Sequence, residues 1–252
     1  MAEPYAGGAG ASLELLFSEH VKSVLINDLD YRIFSFWWSV LNRTEEFVNR
    51  INTVPLTIRE WKRQRNVYRN PRKYKRFDVG FATFYLNRTN RSGILVNGGP
   101  IGGIRQTGKW GIDARFTRPT LVDRIERIAA YQERIAISNF DALKFLRRLE
   151  VDFSDHALFI YLDPPYYDKG AELYLSTYTH KDHVEVAKAL QACAHRHWAV
   201  TYDDVPAIRK IYGGCRLRPF RLRYTAHRRR VGSELLILPN RLIVPRKLLH
   251  TV

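Results

Sequence analysis

The sequence predicts an α/β protein: a doubly wound core with a mixed, mostly parallel sheet, interrupted by an inserted, mainly helical and strongly basic region. Three observations lead there. Short apolar runs that end in an acid alternate with helical stretches at both ends of the chain. Between them, from about residue 44 to residue 132, lysine and arginine dominate. The length, 252 residues of which 45% are hydrophobic, suits one large domain, or one domain carrying an insertion, with enough apolar surface to bury a core.

The chain opens on Glu3-Pro-Tyr-Ala-Gly-Gly-Ala-Gly10, glycines that break the chain ahead of a helix from about Ala11. Glycine lets backbone approach a ligand closely, and a helix N-terminus favours negative charge. A merely tight turn explains Gly7, Gly8 and Gly10 equally well on its own. Asp28 tips the reading: Ser23 to Asp28 is a buried strand ending in an acid, where nucleotide-binding α/β folds accept hydrogen bonds from ribose hydroxyls. Leu29 to Leu41 then reads as a helix.

The basic region follows. Between Arg59 and Arg76 lie Arg59, Lys62, Arg63, Arg65, Arg69, Arg72, Lys73, Lys75 and Arg76, opposed only by Glu60. Trp61, Tyr68 and Tyr74 are interleaved, so the stretch reads as a phosphate-facing surface with rings able to stack or wedge. Phe81 to Asn87 looks helical. The glycine-rich residues 97 to 113 suggest a long mobile loop carrying Arg105, Gln106 and Lys109, and Pro119 to Ala130 is a helix.

Alternation then resumes. Arg134 to Ser138 is a strand, and Asp141 begins a helix reaching about Leu149. Ala157 to Leu162 is a strand, Lys181 to Ala194 a helix, Trp198 to Tyr202 a strand and Val205 to Tyr212 a helix, with Asp203-Asp204 as its cap. Two last strands, Leu217 to Tyr224 and Glu234 to Pro239, are joined by a basic turn that holds Arg228 and Arg229. These arginines sit near the ligand end of the sheet, which favours phosphate contact.

The strand from Ala157 to Leu162 runs into Asp163-Pro-Pro-Tyr166. Proline fixes φ and cannot continue a ladder, so two prolines make a stiff turn that holds Asp163 and Tyr166 in a set relation. A carboxylate, rigid carbonyls from Pro164 and Pro165, and a ring together grip a flat, amine-bearing ligand. A given four-residue string arises by chance in roughly one in a thousand chains of this length. Here it also lies where open α/β sheets place ligands.

Other features bound the function. A net charge of +16 points to a polyanion, most simply nucleic acid. Cys193 and Cys215 have neither metal spacing nor a disulfide framework, which fits a reducing, cytoplasmic setting. His180, His183, His195 and His197 lack the acids or cysteines that would close a metal site, so no metal is expected. Apolar runs of membrane-spanning length are absent.

Asp163-Pro-Pro-Tyr166 after a strand, with Glu3-Pro-Tyr-Ala-Gly-Gly8 at the other site, resembles the Dam-like DNA adenine methyltransferases. The similarity extends through Asn27-Asp-Leu-Asp30, through Phe84-Tyr-Leu-Asn-Arg-Thr-Asn-Arg-Ser-Gly93 and through Glu234-Leu-Leu-Ile237, in the same order along nearly the whole chain. The resemblance implies a Rossmann-like class I core at residues 1–43 and 133–252, with a DNA target-recognition insertion at 44–132. It implies an enzyme, prokaryotic or phage-encoded, that methylates the exocyclic amine of a flipped adenine in duplex DNA from S-adenosylmethionine. Asp163, Pro164, Pro165 and Tyr166 would be catalytic. Glu3, Pro4, Tyr5, Ala6, Gly7, Gly8, Gly10, Asp28 and Asp141 would hold the cofactor. Arg63, Arg65, Arg69, Lys73, Lys75, Arg76, Asn87, Arg88, Arg91, Arg105, Lys109, Arg228 and Arg229 would meet DNA.

Two departures go with it. Ala142 stands where the family has Phe beside the acid, with Phe140 able to compensate. The family also carries a longer stretch before the glycine turn, so one wall of the cofactor site is expected to be missing here. A mis-assigned start, a second protein chain or weak cofactor binding would each explain that. The competing functions are RNA adenine methylation and a non-catalytic DNA-binding subunit. The recognised DNA sequence and the biological setting, whether restriction-modification, phage defence, strand marking or regulation, are not legible.

Overall fold

The protein is described by a computed structural model covering residues 1–153, 158–167, 178–193, 197–224 and 230–243. It divides into two compact units, Met1–Asp28 with Phe140–Val252, and Leu29–Asn139. In chain order the elements are β1 (Ala2–Glu3), α1 (Gly10–Phe17), β2 (Val24–Asn27), α2 (Tyr31–Asn42), α3 (Thr44–Thr53), α4 (Ile58–Arg69), α5 (Arg76–Thr89), α6 (Arg118–Ala129), β3 (Ile135–Ser138), α7 (Ala142–Asp152), β4 (Phe159–Leu162), α8 (His180–Ala192), β5 (His197–Asp203), α9 (Pro206–Ile211), β6 (Arg216–Tyr224) and β7 (Arg230–Leu238).

Six of the seven strands among the described residues belong to the first unit and run in the order β2-β1-β4-β5-β7-β6. β1 pairs in parallel with β2 and β4, and β4 in parallel with β5. β7 is antiparallel to both β5 and β6. The mixed, mostly parallel sheet read from the sequence is the one found. Its inward residues Ala2, Ile160, Leu162, Trp198, Val200, Tyr202, Leu235 and Ile237 pack with Phe145, Leu146 and Leu149 of α7 and Val186, Ala187 and Leu190 of α8. Each fully buried Leu, Ile, Val or Phe among them contributes about 1.5–3 kcal/mol. Local chemistry starts the helices. Asp141 caps α7, its Oδ1 accepting from Leu143 N at 3.0 Å, and Thr179 with Asp182 forms a capping box ahead of α8.

The second unit is built on aromatic rings. Phe47 lies within 5.2–6.1 Å of Phe36, Phe77, Phe81 and Phe84, ring centre to ring centre. Gly80 lets α5 press against α2, since a Cβ there would overlap the Ser35 carbonyl.

Several local expectations are corrected. The basic stretch is largely the helix α4, and it turns Trp61 and Tyr68 inward, at 2% and 5% exposure. Their spacing with Gln64 and Val67, all buried, is that of one helix face, so these rings hold the unit together and are not free to stack on bases. Only Tyr74 of the three is exposed. The glycine-rich stretch 97–113 is a loop tied from within by Gln106. Its Nε2 donates to the carbonyls of Ile101 at 2.7 Å and Gly103 at 2.6 Å, and its Oε1 accepts from Ile112 N at 2.9 Å. Arg230 to Gly232, expected in the final turn, already belong to β7.

Candidate active site

Ala2 of β1 stands in register with Ile160 of β4. Two parallel neighbours therefore run out at one edge of the sheet, one into the glycine turn and the other into Asp163-Pro-Pro-Tyr166. This edge is the strands' carboxyl end, where open α/β sheets bind ligands.

The turn is held from three sides. Asn27 binds it across the sheet, its Nδ2 donating to the carbonyls of Pro4 at 3.0 Å and Phe140 at 2.9 Å, and its Oδ1 accepting from Phe140 N at 2.8 Å. Asp28 Oδ2 accepts from Gly7 N at 2.9 Å. Beneath, the buried Glu3 carboxyl accepts from Ser12 N at 3.3 Å, in the first turn of α1. Burial pushes that carboxyl up to about 7; the bond from Ser12 opposes the rise, and the charges of Asp163 and Asp28 add to it. Ala9, fully buried, takes a left-handed φ of 48°, backbone strain of the kind found at ligand sites.

Space around the turn fits a cofactor. A Cβ placed on Gly7, Gly8 or Gly10 would meet nothing within 4 Å. At Gly7 a φ of 46° favours glycine by itself, whereas at Gly8 and Gly10 neither packing nor a left-handed backbone asks for it. Asp141 stands near as the cap of α7, and the Phe140 ring beside it is covered by Lys144 Nζ at 4.9 Å and the Arg148 guanidinium at 5.0 Å. The Tyr5 hydroxyl lies 2.8 Å from that of Tyr178. Pro4 and Ala6 are buried and close the turn's inner side.

Asp163 is reached by solvent, yet protein crowds its carboxyl closely. That burial raises it above the ordinary carboxylate value, the Thr201 hydrogen bond opposes the rise, and the Glu234 charge reinforces it. Asp163 Oδ1 accepts from Thr201 Oγ1 at 2.9 Å. Pro164 and Pro165 are buried behind it. The Tyr166 hydroxyl donates to Glu234 Oε1 at 2.6 Å. Tyr167 N donates to Asp203 Oδ1 at 2.9 Å, and its hydroxyl is 3.0 Å from His180 Nδ1. Asp203 thus braces the turn that follows Asp163, while Asp204 binds Arg209 through two contacts of 2.6 and 2.9 Å. Neither caps the following helix as the sequence suggested; its N-cap is Val205. Thr201, Asp203 and Glu234 are the residues that sequence reading missed here.

The residues expected to meet DNA are spread through the second unit. Arg69, Lys73, Lys75, Arg76, Asn87, Arg91, Arg105 and Lys109 are exposed. Arg65 stacks on Trp61 with its guanidinium 5.0 Å from the ring centre. Arg63 is held by both Glu60 oxygens, at 2.8 and 2.7 Å. Arg88 donates twice to the carbonyl of Arg115, at 2.9 and 2.5 Å, and ties the unit together. Trp110 and Ile104, exposed at 63% and 52%, carry apolar surface on the same loop as Arg105 and Lys109 and had no signal beyond their glycine-rich setting. Arg228 and Arg229 lie outside the described residues, as does His195. Among the described residues no three His, Cys, Asp or Glu side chains gather as a metal site requires, and no helix is long and apolar enough to cross a membrane.

Comparison with known proteins completes the picture. The model of a family described as D12 class N6 adenine-specific DNA methyltransferase matches residues 1–229. No curated protein matches the chain. Two solved structures of the rRNA methyltransferase aviRa from Streptomyces viridochromogenes are similar at 12% identity, covering 94% of this chain and 75% of theirs, with TM-scores of 0.37 and 0.36. A likeness that distant carries no weight for function.

Proposed function

The chain belongs to the D12 class N6 adenine-specific DNA methyltransferase family, and from that membership we propose how its residues divide the work. The enzyme transfers a methyl group from S-adenosylmethionine to the N6 amine of adenine in DNA. When bound, the cofactor supplies an electrophilic methyl carbon on a sulfonium.

The glycine turn and its supports, Glu3 to Gly10 with Asp28 and Asp141, hold the cofactor. Gly7, Gly8 and Gly10 give room for close backbone approach, and Asp28 and Asp141 offer acceptors to its hydroxyl and amino groups. Asp163 and the Pro164 carbonyl accept the two protons of the adenine amine. That amine is a poor nucleophile because its lone pair is drawn into the ring; two fixed acceptors return the pair to nitrogen. As the new C–N bond formed, the methyl carbon–sulfur bond would break with its electron pair going to sulfur as a neutral thioether, and the Asp163 carboxylate would take the surplus proton from the amine. Pro165 stiffens the turn. Tyr166, held by Glu234, gives the base a ring to lie on, and Tyr167 forms a wall of the pocket. The target base reaches this edge only after leaving the duplex stack.

Residues 44–132 are the target-recognition region, with core residues at 1–43 and 133–252. Arg65, Arg69, Lys73, Lys75, Arg76, Asn87, Arg91, Arg105 and Lys109 contact the duplex, and Arg228 and Arg229 add phosphate contacts. Arg63 and Arg88, already engaged by Glu60 and by the Arg115 carbonyl, shape that surface. We place the enzyme, prokaryotic or phage-encoded, in the cytoplasm, where Cys193 and Cys215 stay as thiols. A second chain that completes the cofactor pocket is the alternative construction of the same site, and calorimetric titration of this chain alone with S-adenosylmethionine separates the two.

The observation that carries the reading is the family match over residues 1–229, joined to Asp163 and the glycine turn leaving neighbouring strands at one sheet edge. Asp163→Ala should lower methyl transfer by on the order of a thousandfold while cofactor binding persists. An unaffected variant would remove Asp163 from the mechanism.

A further inference from the structure

We propose that Thr201 is a positioning residue for the reaction, donating its one hydroxyl proton to Asp163 Oδ1 so that Oδ2 is the oxygen left to receive the adenine amine. The proposal rests on the function given above and concerns a residue thirty-eight positions from the motif it serves.

The geometry is set by the sheet. β4 and β5 are parallel, with Tyr161 opposite Ala199 and Leu162 opposite Val200. One step further along both strands, Asp163 meets Thr201. Thr201 Oγ1 has three oxygens within reach: Asp163 Oδ1 at 2.9 Å, the Tyr161 hydroxyl at 3.0 Å and the Leu162 carbonyl at 3.4 Å. It has one proton to give. An ionised carboxylate can only accept, so the closest contact requires Thr201 to donate to Asp163. The Tyr161 hydroxyl must then donate to Thr201. Proton donation thus runs in one direction, from Tyr161 to Thr201 to Asp163. Threonine suits the task because its branched Cβ is stiff at χ1, so the hydroxyl is placed at small entropic cost.

The fixed contact does two things. It selects which carboxylate oxygen stays free, and it offsets the crowding that favours the protonated acid. The groups facing Asp163 are Glu3 from β1, Tyr161 from its own strand, Thr201 and Tyr202 from β5, and Glu234 from β7. Of these, Thr201 supplies the hydrogen bond that favours the ionised form, whereas the Glu234 charge disfavours it.

Thr201→Val keeps shape and removes the hydroxyl; Thr201→Ser keeps the hydroxyl and removes a methyl. In the full chain, methyl transfer to duplex DNA is measured across pH, and the Asp163 carboxyl is followed by carbon NMR in the same variants. Thr201→Val should cut kcat by about tenfold to a hundredfold, with little change in either KM. Its acidic limb and the Asp163 titration should both move to higher pH, and Thr201→Ser should restore both. Tyr161→Phe should move them the same way by less. An Asp163 titration unchanged in Thr201→Val overturns the proposal whatever the activity does, as does an equal loss in Val and Ser. A wild-type chain that methylates no adenine would instead refute the functional reading, with the titration still deciding the hydrogen bond.

Discussion

Two regions of this chain are rich in glycine, and they use it for opposite ends. In the turn at 7–10, a side-chain carbon on any of the three glycines would meet open space. In the loop at 97–113, a Cβ on Gly98 would overlap the Ile94 carbonyl, one on Gly102 would come within 2.7 Å of the Trp110 carbonyl, and one on Gly108 within 2.9 Å of Gly102 Cα. Around the first turn no protein atom comes within 4 Å of such a carbon. The second is packed against its own backbone at these three positions and cross-tied by Gln106, while Gly99 in it also has open space around its Cα. The sequence already read the two differently, as a ligand turn and as a loop; the atoms around each Cα add that the loop is packed at Gly98, Gly102 and Gly108.

That contrast yields ordered predictions. Gly8 has an ordinary backbone conformation, so Gly8→Val should leave the melting temperature nearly unchanged while filling ligand space. We expect at least a thousandfold weaker S-adenosylmethionine binding by calorimetry, about 4 kcal/mol. A large loss of stability with binding intact would erase the contrast.

The support under the turn gives the next effect. The Glu3 carboxyl lies at about 7 in the fold against 4.5 for an unstrained glutamate. Between those values the folded protein holds a proton that the unfolded chain releases, so stability is fullest below 4.5, falls as pH rises through the window and is flat above about 7. Glu3→Gln should flatten this dependence and stabilise the protein at pH 8 by up to roughly 3 kcal/mol. Denaturant melts of both forms at pH 5 and pH 8 decide it; parallel pH profiles would show that Glu3 is not charged and strained as described.

Gly98→Ala is the smallest of the three. The loop must shift to admit the methyl group, at a cost of about 1–3 kcal/mol in thermal unfolding, and cofactor affinity should not change. Weakened cofactor binding without destabilisation would reverse the assignment of the two glycine regions.

How legible the molecule was follows the same division. Asp163-Pro-Pro-Tyr166 and the glycine turn are continuous strings whose chemistry is local, and strand periodicity was enough to put them at strand ends. Thr201 and Glu234 reach Asp163 and Tyr166 from thirty-eight and sixty-eight positions away, through the strand order β4-β5-β7, and nothing local in either marks that contact. Asp203 was misread because an acid before a helix is ordinarily a cap. Its carboxylate instead turns back to the Tyr167 amide. In the basic stretch charge hid the helical signal: Trp61, Gln64, Val67 and Tyr68 share one buried face, and the arginines between them drew attention to a surface role that Trp61 and Tyr68 do not have. Arg88 shows the same limit, being basic in sequence and structural in place.

The most direct test of the account is nucleoside analysis of duplex DNA incubated with S-adenosylmethionine carrying a labelled methyl group and either the wild-type chain or Asp163→Ala. The account predicts label in N6-methyladenine alone with the wild type, and essentially none with the variant. Label in cytosine, label only when RNA is supplied, or equal label with Asp163→Ala would contradict it.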